Sequence, residues 1–139
     1  MIVSSRQLPS GLCALALSAG LAACGETAST SGFKGESHNV AQTVSNFQSD
    51  ASSNDQKKLC ENDLAASLTS SLHSPGGCQA VLKEQLHEID ALSLTIESIA
   101  VNGTHATAHV KSTYSGKNRI STLTLVKEGP HWKISGVAS

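Results

Sequence analysis

Any chemistry in this chain of 139 residues would draw on its six histidines, 11 acidic residues, single tyrosine and four cysteines. His105 and His109 fall on Thr104–Tyr114, a stretch whose alternation of apolar and polar residues predicts a strand. They share a face about 13 Å apart, too far for joint metal binding without cross-strand partners. Thr107, Lys111 and Thr113 lie on that face too, which makes it the solvated one. His38, His73, His87 and His131 fall at element ends or polar helix positions, and no Ser-His-Asp, zinc or phosphate-loop pattern is present. Acid–base work at neutral pH asks for a carboxyl in an apolar site, where burial raises its pKa. The predicted sheet offers Glu97 and Glu128, the latter in a turn. Asp50 and Asp63 fall on predicted helices, and Asp63, beside Leu64, is expected to be solvated. Tyr114, on the inward parity of its strand, is the best-placed polar group. The residues thus name no catalytic group, no metal ligands and no cofactor.

The elements that would position these groups divide into two sets. From Leu94 to Val137 the chain reads as four strands joined by three reversals. Asn102-Gly103 is the favoured pair for a two-residue type I′ turn. Ser115-Gly116-Lys117-Asn118 and Glu128-Gly129-Pro130 supply the other two reversals. With a period of two, Ala106, Ala108, Val110 and Tyr114 share one face of the second strand. Leu123 and Leu125 in the third strand and Trp132 and Ile134 in the fourth mark the same apolar side, so helices must cover it. Upstream, Val40, Val44, Phe47 and Ala51 recur at helical spacing, with Ser37 or Asn39 as N-cap. A second helix is expected from Gln56, capped by Asp55, with Cys60, Leu64, Leu68 and Leu72 on one stripe. Ser74-Pro75-Gly76-Gly77 ends it. A third runs from about Cys78 with Leu82, Leu86 and Ile89 inward and Lys83, Glu84 and Glu88 outward. Three helices before a meander is an α+β order with segregated elements.

The front of the chain reads as an address. Residues 1–23 have a weakly basic start at Arg6 and an Ala/Leu-rich run broken by Pro9-Ser10-Gly11, too short to span a bilayer and typical of a secretory signal. Leu21-Ala22-Ala23-Cys24 resembles the lipobox of bacterial lipoproteins, which implies cleavage before Cys24 and a diacylglyceryl group on its thiol. Residues 24–36 are small, polar and aperiodic, as a flexible tether would be. Residues 37–139 are then one small domain. Removal of residues 1–23 leaves nine basic against 11 acidic residues, a formal charge of −2. No basic patch stands out and aromatics are few, which excludes nucleic acid as a partner.

With Cys24 lipidated and Cys13 removed with the signal, Cys60 and Cys78 remain. In an exported protein such a pair reads as a disulfide. A metal site there would need more ligands than His73 supplies. A bridge would staple the second helix to the third.

The helix ending near Phe47–Ala51, the paired cysteines, the Asn102-Gly103 turn before Ala106–Val110 and the ending Gly129-Pro130-His131-Trp132-Lys133-Ile134 together resemble the NTF2-like (SnoaL-like) superfamily, in particular its small exported lipoproteins. The resemblance covers residues 38–138. It implies a cone, in which three N-terminal helices pack on a curved four-stranded antiparallel sheet, with a pocket at its mouth. Val44, Phe47, Tyr114 and Trp132 are the expected pocket wall. Because such folds host enzymes, binders and adaptors, three functions stand as expectations. One is a non-catalytic binding module, lipid-anchored on the extracytoplasmic face of the cell membrane, that takes a small apolar ligand or an envelope partner. Another is an isomerase or dehydratase using an acid or base in the cone with Tyr114. A third is a scaffold, a homodimer or envelope complex formed through the outer sheet face at Thr107, Thr113, Thr122 and Thr124.

Overall fold

The computed structural model describes residues 28–87, 92–114 and 116–139, without the side chain of Tyr114. The expected signal, Cys24 and Ile89 lie outside the described residues. Strands β1 (Ser93–Asn102), β2 (His105–Tyr114), β3 (Lys117–Glu128) and β4 (His131–Ala138) form one antiparallel meander in that order. The inward row follows the two-residue period: Ala106 pairs with Leu125, Ala108 with Leu123, and Leu125 with Ile134, all of them buried. The register shifts between Ile96 and Ser98 in β1, and between Thr124 and Leu125 in β3. Such bulges bend a strand and add twist, which lets a meander curve over a helix.

The first reversal differs from expectation by one residue. Asn102 pairs with His105, so Gly103 and Thr104 form the loop, and Gly103 has φ 61°. Glycine at the first central position meets the demand of a type II′ turn, and Asn102 keeps its place in the ladder. Glu128 pairs with His131 in the same manner, leaving Gly129 (φ 60°) and Pro130 as the loop.

Helix α1 (Glu36–Ser52) lies across the inner face and contacts β1, β4 and β2. Val40 and Val44 enter the main core with Leu64, Leu94, Val110, Leu125, Trp132 and Ile134. A second cluster joins Ala51, Leu59 and Leu86, with Phe47 packed against both. The helix starts at Glu36 behind Gly35, so Ser37 and Asn39 lie inside its first turn rather than capping it.

The expected second helix is broken. Helix α2 (Gln56–Lys58), whose cap Asp55 accepts the Lys58 N–H at 3.1 Å, gives way to a π-helical turn, Leu59–Asp63, closed by Leu64 N–H to the Leu59 carbonyl at 2.9 Å. Leu64 is then extended and pairs in parallel with Ile134, and the Ala65 N–H donates to the Ile134 carbonyl at 2.8 Å. Helix α3 (Ala66–Thr69) follows, its Ala66 N–H donating to Glu128 Oε1 at 2.8 Å. The reason is tertiary: β4 is an edge strand with backbone groups to satisfy, and a continuous helix could not supply a partner. Helix α4 (Gly77–Leu86) carries Leu82 and Leu86 inward and Lys83 and Glu84 outward, and a Cys60–Cys78 disulfide ties it to the π-turn.

The packed unit also reaches further forward than residue 37. Ala28 is buried, its N–H donating to Gln48 Oε1 at 2.7 Å, while Gln48 Nε2 donates to the Leu92 carbonyl at 2.9 Å. One buried amide thus holds both the leading segment and the approach to β1. Within the stretch expected to be tether, Ala28 is thus packed against the domain, while most of residues 29–35 stay exposed. Among the described residues no helix is long and apolar enough to cross a membrane.

Candidate functional site

Opposite its buried stripe, α1 presents Asn39, Gln42, Thr43 and Asn46, whose spacing puts them on one flank of the helix. Across from them lie Pro130, His131, Trp132 and Lys133 at the start of β4, and Asn62 and Asp63 of the π-turn complete the wall. Together they enclose a cleft of about 480 Å³. The Thr43 hydroxyl lies 3.2 Å from both the Asn39 and the Trp132 carbonyls, fixing the distance between its two sides. Gln42 Nε2 donates to Asn46 Oδ1 at 3.1 Å along the rim. The Trp132 indole N–H donates to Glu36 Oε2 at 2.6 Å, and Lys127 Nζ donates to Glu36 Oε1 at 3.0 Å while standing 5.7 Å over the indole ring. These bonds, that from Trp132 first and then that from Lys127, hold the Glu36 carboxyl below its usual pKa.

Asp63 is the chemical centre of the cleft. It is 2% exposed, and its Oδ2 is, among the described residues, the buried side-chain oxygen or nitrogen without a hydrogen-bond partner. Burial, then the charge of the neighbouring Asp50 carboxylate and a hydrogen bond between the two carboxyls, push its pKa up to about 7. The nearest ammonium groups are engaged elsewhere. Lys58 Nζ lies 3.8 Å from Asp50 and 3.4 Å from Asp55, and Lys133 Nζ donates to the Glu61 carbonyl at 2.6 Å. An acid so placed is neutral over the acidic half of the physiological range and can donate as well as accept a hydrogen bond. Among the described residues no group of three or more His, Cys, Asp or Glu could hold a metal.

The residues expected to wall a pocket are dispersed. Trp132 does border the cleft. Val44 is completely buried, and Phe47 packs between the two apolar clusters. The Tyr114 side chain and Cys24 lie outside the described residues. The Tyr114 backbone pairs with Lys117, nine residues along β3 from Val126, the partner of Lys133. That is roughly 30 Å of strand, so Tyr114 and Asp63 do not share a site.

Asp63, expected to be solvated, is the main correction, since the π-turn and the Leu64 bridge carry it under the edge of β4. The other missed residues left a faint signal: α1 carries amides and a hydroxyl, not charges, on the flank facing β4. The outer sheet face behaves as expected, with His105 and His109 exposed and their neighbours bonded to one another, Thr122 to His109 at 3.0 Å and Thr113 to Asn118 at 2.8 Å.

A family described as "Putative lumazine-binding" matches residues 78–136, which are α4 and most of the sheet. Of the cleft, only the β4 wall falls inside that match. A SEC-C motif containing protein from Rhodopseudomonas palustris is similar in structure, with a TM-score of 0.56, 15% identity, and coverage of 71% of this chain and 76% of that one. So is a protein named Rd1NTF2_05 carrying five substitutions, with a TM-score of 0.53, 14% identity, and coverage of 75% and 98%. No curated protein matches the chain. At such identities the likeness establishes the fold, which is the NTF2-like α+β cone.

Proposed function

We propose that this chain is a non-catalytic binding module whose cleft between α1, the π-turn and β4 takes a small polar molecule. The observation that carries the reading is the cleft's lining, in which the amides of Asn39, Gln42, Asn46 and Asn62 and the Thr43 hydroxyl stand with Asp63, His131, Trp132 and Lys133. The ligand expected from sequence was apolar. The cleft favours a polar one, because Val44 is fully covered and the walls offer donors and acceptors.

The lipobox-like run ending at Cys24 supports a lipid anchor on the extracytoplasmic face of the cell membrane. Ala28 is packed four positions later, so the leash is at most about 14 Å and the domain rests near the bilayer. Mass spectrometry of the mature chain is expected to show a diacylglyceryl cysteine at position 24. An unmodified Cys24 would remove the anchor without touching the cleft.

The family description suggests lumazine as the first ligand to try, a flat bicycle with carbonyl acceptors and N–H donors. Trp132, the chain's one tryptophan, borders the cleft and reports on entry. Saturable shifts of the backbone amide resonances of Asn39–Asn46 and His131–Lys133, with a change in Trp132 emission, are expected on titration with lumazine and related heterocycles. Resonances that do not move with any of them would refute the cleft as a binding site.

A further inference from the structure

Two walls of the cleft are joined by a pair of acids. Asp63 ends the π-turn, Asp50 lies near the end of α1, and their carboxyls are hydrogen-bonded to each other. A carboxylate only accepts, so two carboxyls bond each other only while one of them holds a proton. The π-turn packs against α1, α2 and β4, and each brings charged groups toward this spot. They are Asp50 of α1, Lys58 of α2 with its cap Asp55, and His131 and Lys133 of β4, beside Glu61 of the turn itself. Neither ammonium group takes the place of the proton. Lys58 Nζ stands 3.8 Å from Asp50 and 3.4 Å from Asp55, and Lys133 Nζ donates to the Glu61 carbonyl at 2.6 Å. Glu61 is exposed and meets Lys57 at 3.8 Å. The Asp63 Oδ2 is buried without a partner, so an ionised Asp63 would find no donor there.

The π-turn is tied to β4 by the Ala65–Ile134 bond and the Lys133 ammonium, and to α4 by the disulfide. Its tie to α1 through the two acids is of another kind, because it lasts only as long as the proton. We propose that the Asp50–Asp63 pair is a proton-held latch between α1 and the π-turn, closed while the carboxyls share a proton and released when that proton leaves to solvent. The latch rests on the cleft reading for its consequence, since Asn62 and Asp63 form the wall that faces Asn39 and Asn46. Two adjacent carboxylates repel, and their repulsion loosens that wall. With Asp63 raised to about 7, release falls in the neutral range. A proton bound more tightly in the closed form favours closure in acid. That advantage shrinks as pH rises toward 7 and levels off above it. The cleft therefore holds its ligand more firmly in mild acid than in mild base.

Amide hydrogen exchange of the mature chain at pH 5.5 and pH 8, corrected for the intrinsic pH dependence of exchange, tests the latch. The Leu64 and Ala65 amides, bonded to the Leu59 and Ile134 carbonyls, should lose about tenfold or more of their protection between the two. They should do so through local opening, so that sub-denaturing urea speeds them less than it speeds β2 and β3. Asp63→Asn and Asp50→Asn each replace the shared proton by an amide N–H that pH does not remove, so both should keep their protection at pH 8 within about threefold. His131→Gln should leave the fall in place, and its disappearance there would assign the proton to the histidine and overturn the latch. Equal protection of Leu64 and Ala65 at both pH values would also overturn it. So would a urea dependence as steep as that of the strands, which would mean that the whole chain unfolds. No ligand is added, so these outcomes strike the latch alone, and titration with lumazine decides the cleft reading separately.

Discussion

The meander from Ser93 to Ala138 and the helical cover from Ala28 to His87 solve one packing problem by different means. The meander is regular: one row of apolar side chains, two register shifts and tight turns, with its ladder built from near neighbours in sequence. The cover has one regular helix, α1, and then a succession of short pieces held by long-range bonds to the sheet. Regularity there is given up where the chain must serve the edge of β4, and the same concession buries Asp63. Stability therefore concentrates in the meander and in the covalent link that steadies the cover, while the candidate chemistry sits on the irregular seam between them. π-turns are often found at functional sites for this reason.

The contrast is sharpest in core substitutions. Leu125 is 1% exposed at the middle of the inward row, and Leu125→Ala should cost about 3–5 kcal/mol, measured by urea denaturation. A loss under about 1 kcal/mol would show that the meander is not the rigid half. Next in size, Cys60→Ser with Cys78→Ser opens a loop of sequence separation 18 and should lower stability by about 3 kcal/mol. Because the bridge holds the π-turn to α4, its loss should also speed amide exchange at Leu59–Ala65 more than in β2 and β3. Equal acceleration everywhere would erase the distinction between cover and sheet.

The same division decides what is legible in the sequence. In strands, Ala106, Ala108 and Val110 announce their face by alternation, and Leu123, Leu125, Trp132 and Ile134 continue it. The loop at Gly103-Thr104 falls one residue from where the Asn-Gly pair points, and no face changes, since the apolar row sets the register. Val40, Val44 and Ala51 likewise declare α1. The break after Asp63 is illegible because Leu64, Leu68 and Leu72 satisfy a helical stripe perfectly well. What stops the helix is the unpaired Ile134 carbonyl, some 70 residues away in sequence, and no local pattern encodes that. Asp63 accordingly reads as solvated. Ala28 reads as tether for a similar reason, because its partner, the Gln48 amide, is itself a polar residue buried against expectation.

Asp63→Asn is a smaller perturbation of stability than either core substitution or disulfide loss, and one with a definite sign. An acid whose folded pKa is raised, here from 3.8 to about 7, binds its proton more tightly in the folded state. Its contribution is therefore most favourable below about pH 4, declines as pH rises toward 7 and is flat above that. The asparagine variant should lack this decline and should exceed the wild type by about 1–3 kcal/mol at pH 8. Chemical denaturation at pH 5 and pH 8 checks it, and a variant that parallels the wild type at both would place Asp63 in solvent after all.

The smallest effect tests the opposite end of the seam. Glu36, at the first turn of α1, is bonded to Trp132 and Lys127 of the sheet, and these bonds lower its pKa from 4.5. A lowered acid stabilises the fold above its unfolded pKa and loses that contribution as pH falls through the folded one. Glu36 is exposed, so screening keeps the effect slight. Glu36→Gln keeps an acceptor for the indole and removes the charge that Lys127 meets, so its stability should approach that of the wild type below pH 4 and fall short of it above pH 5. The two acids thus tilt the stability profile in opposite senses. Asp63 penalises the neutral range because the cover buries it beside the Asp50 carboxylate, and Glu36 favours that range because of its bonds to the sheet. Profiles of the two variants that tilt the same way would mean that the seam is closed, or open, at both ends.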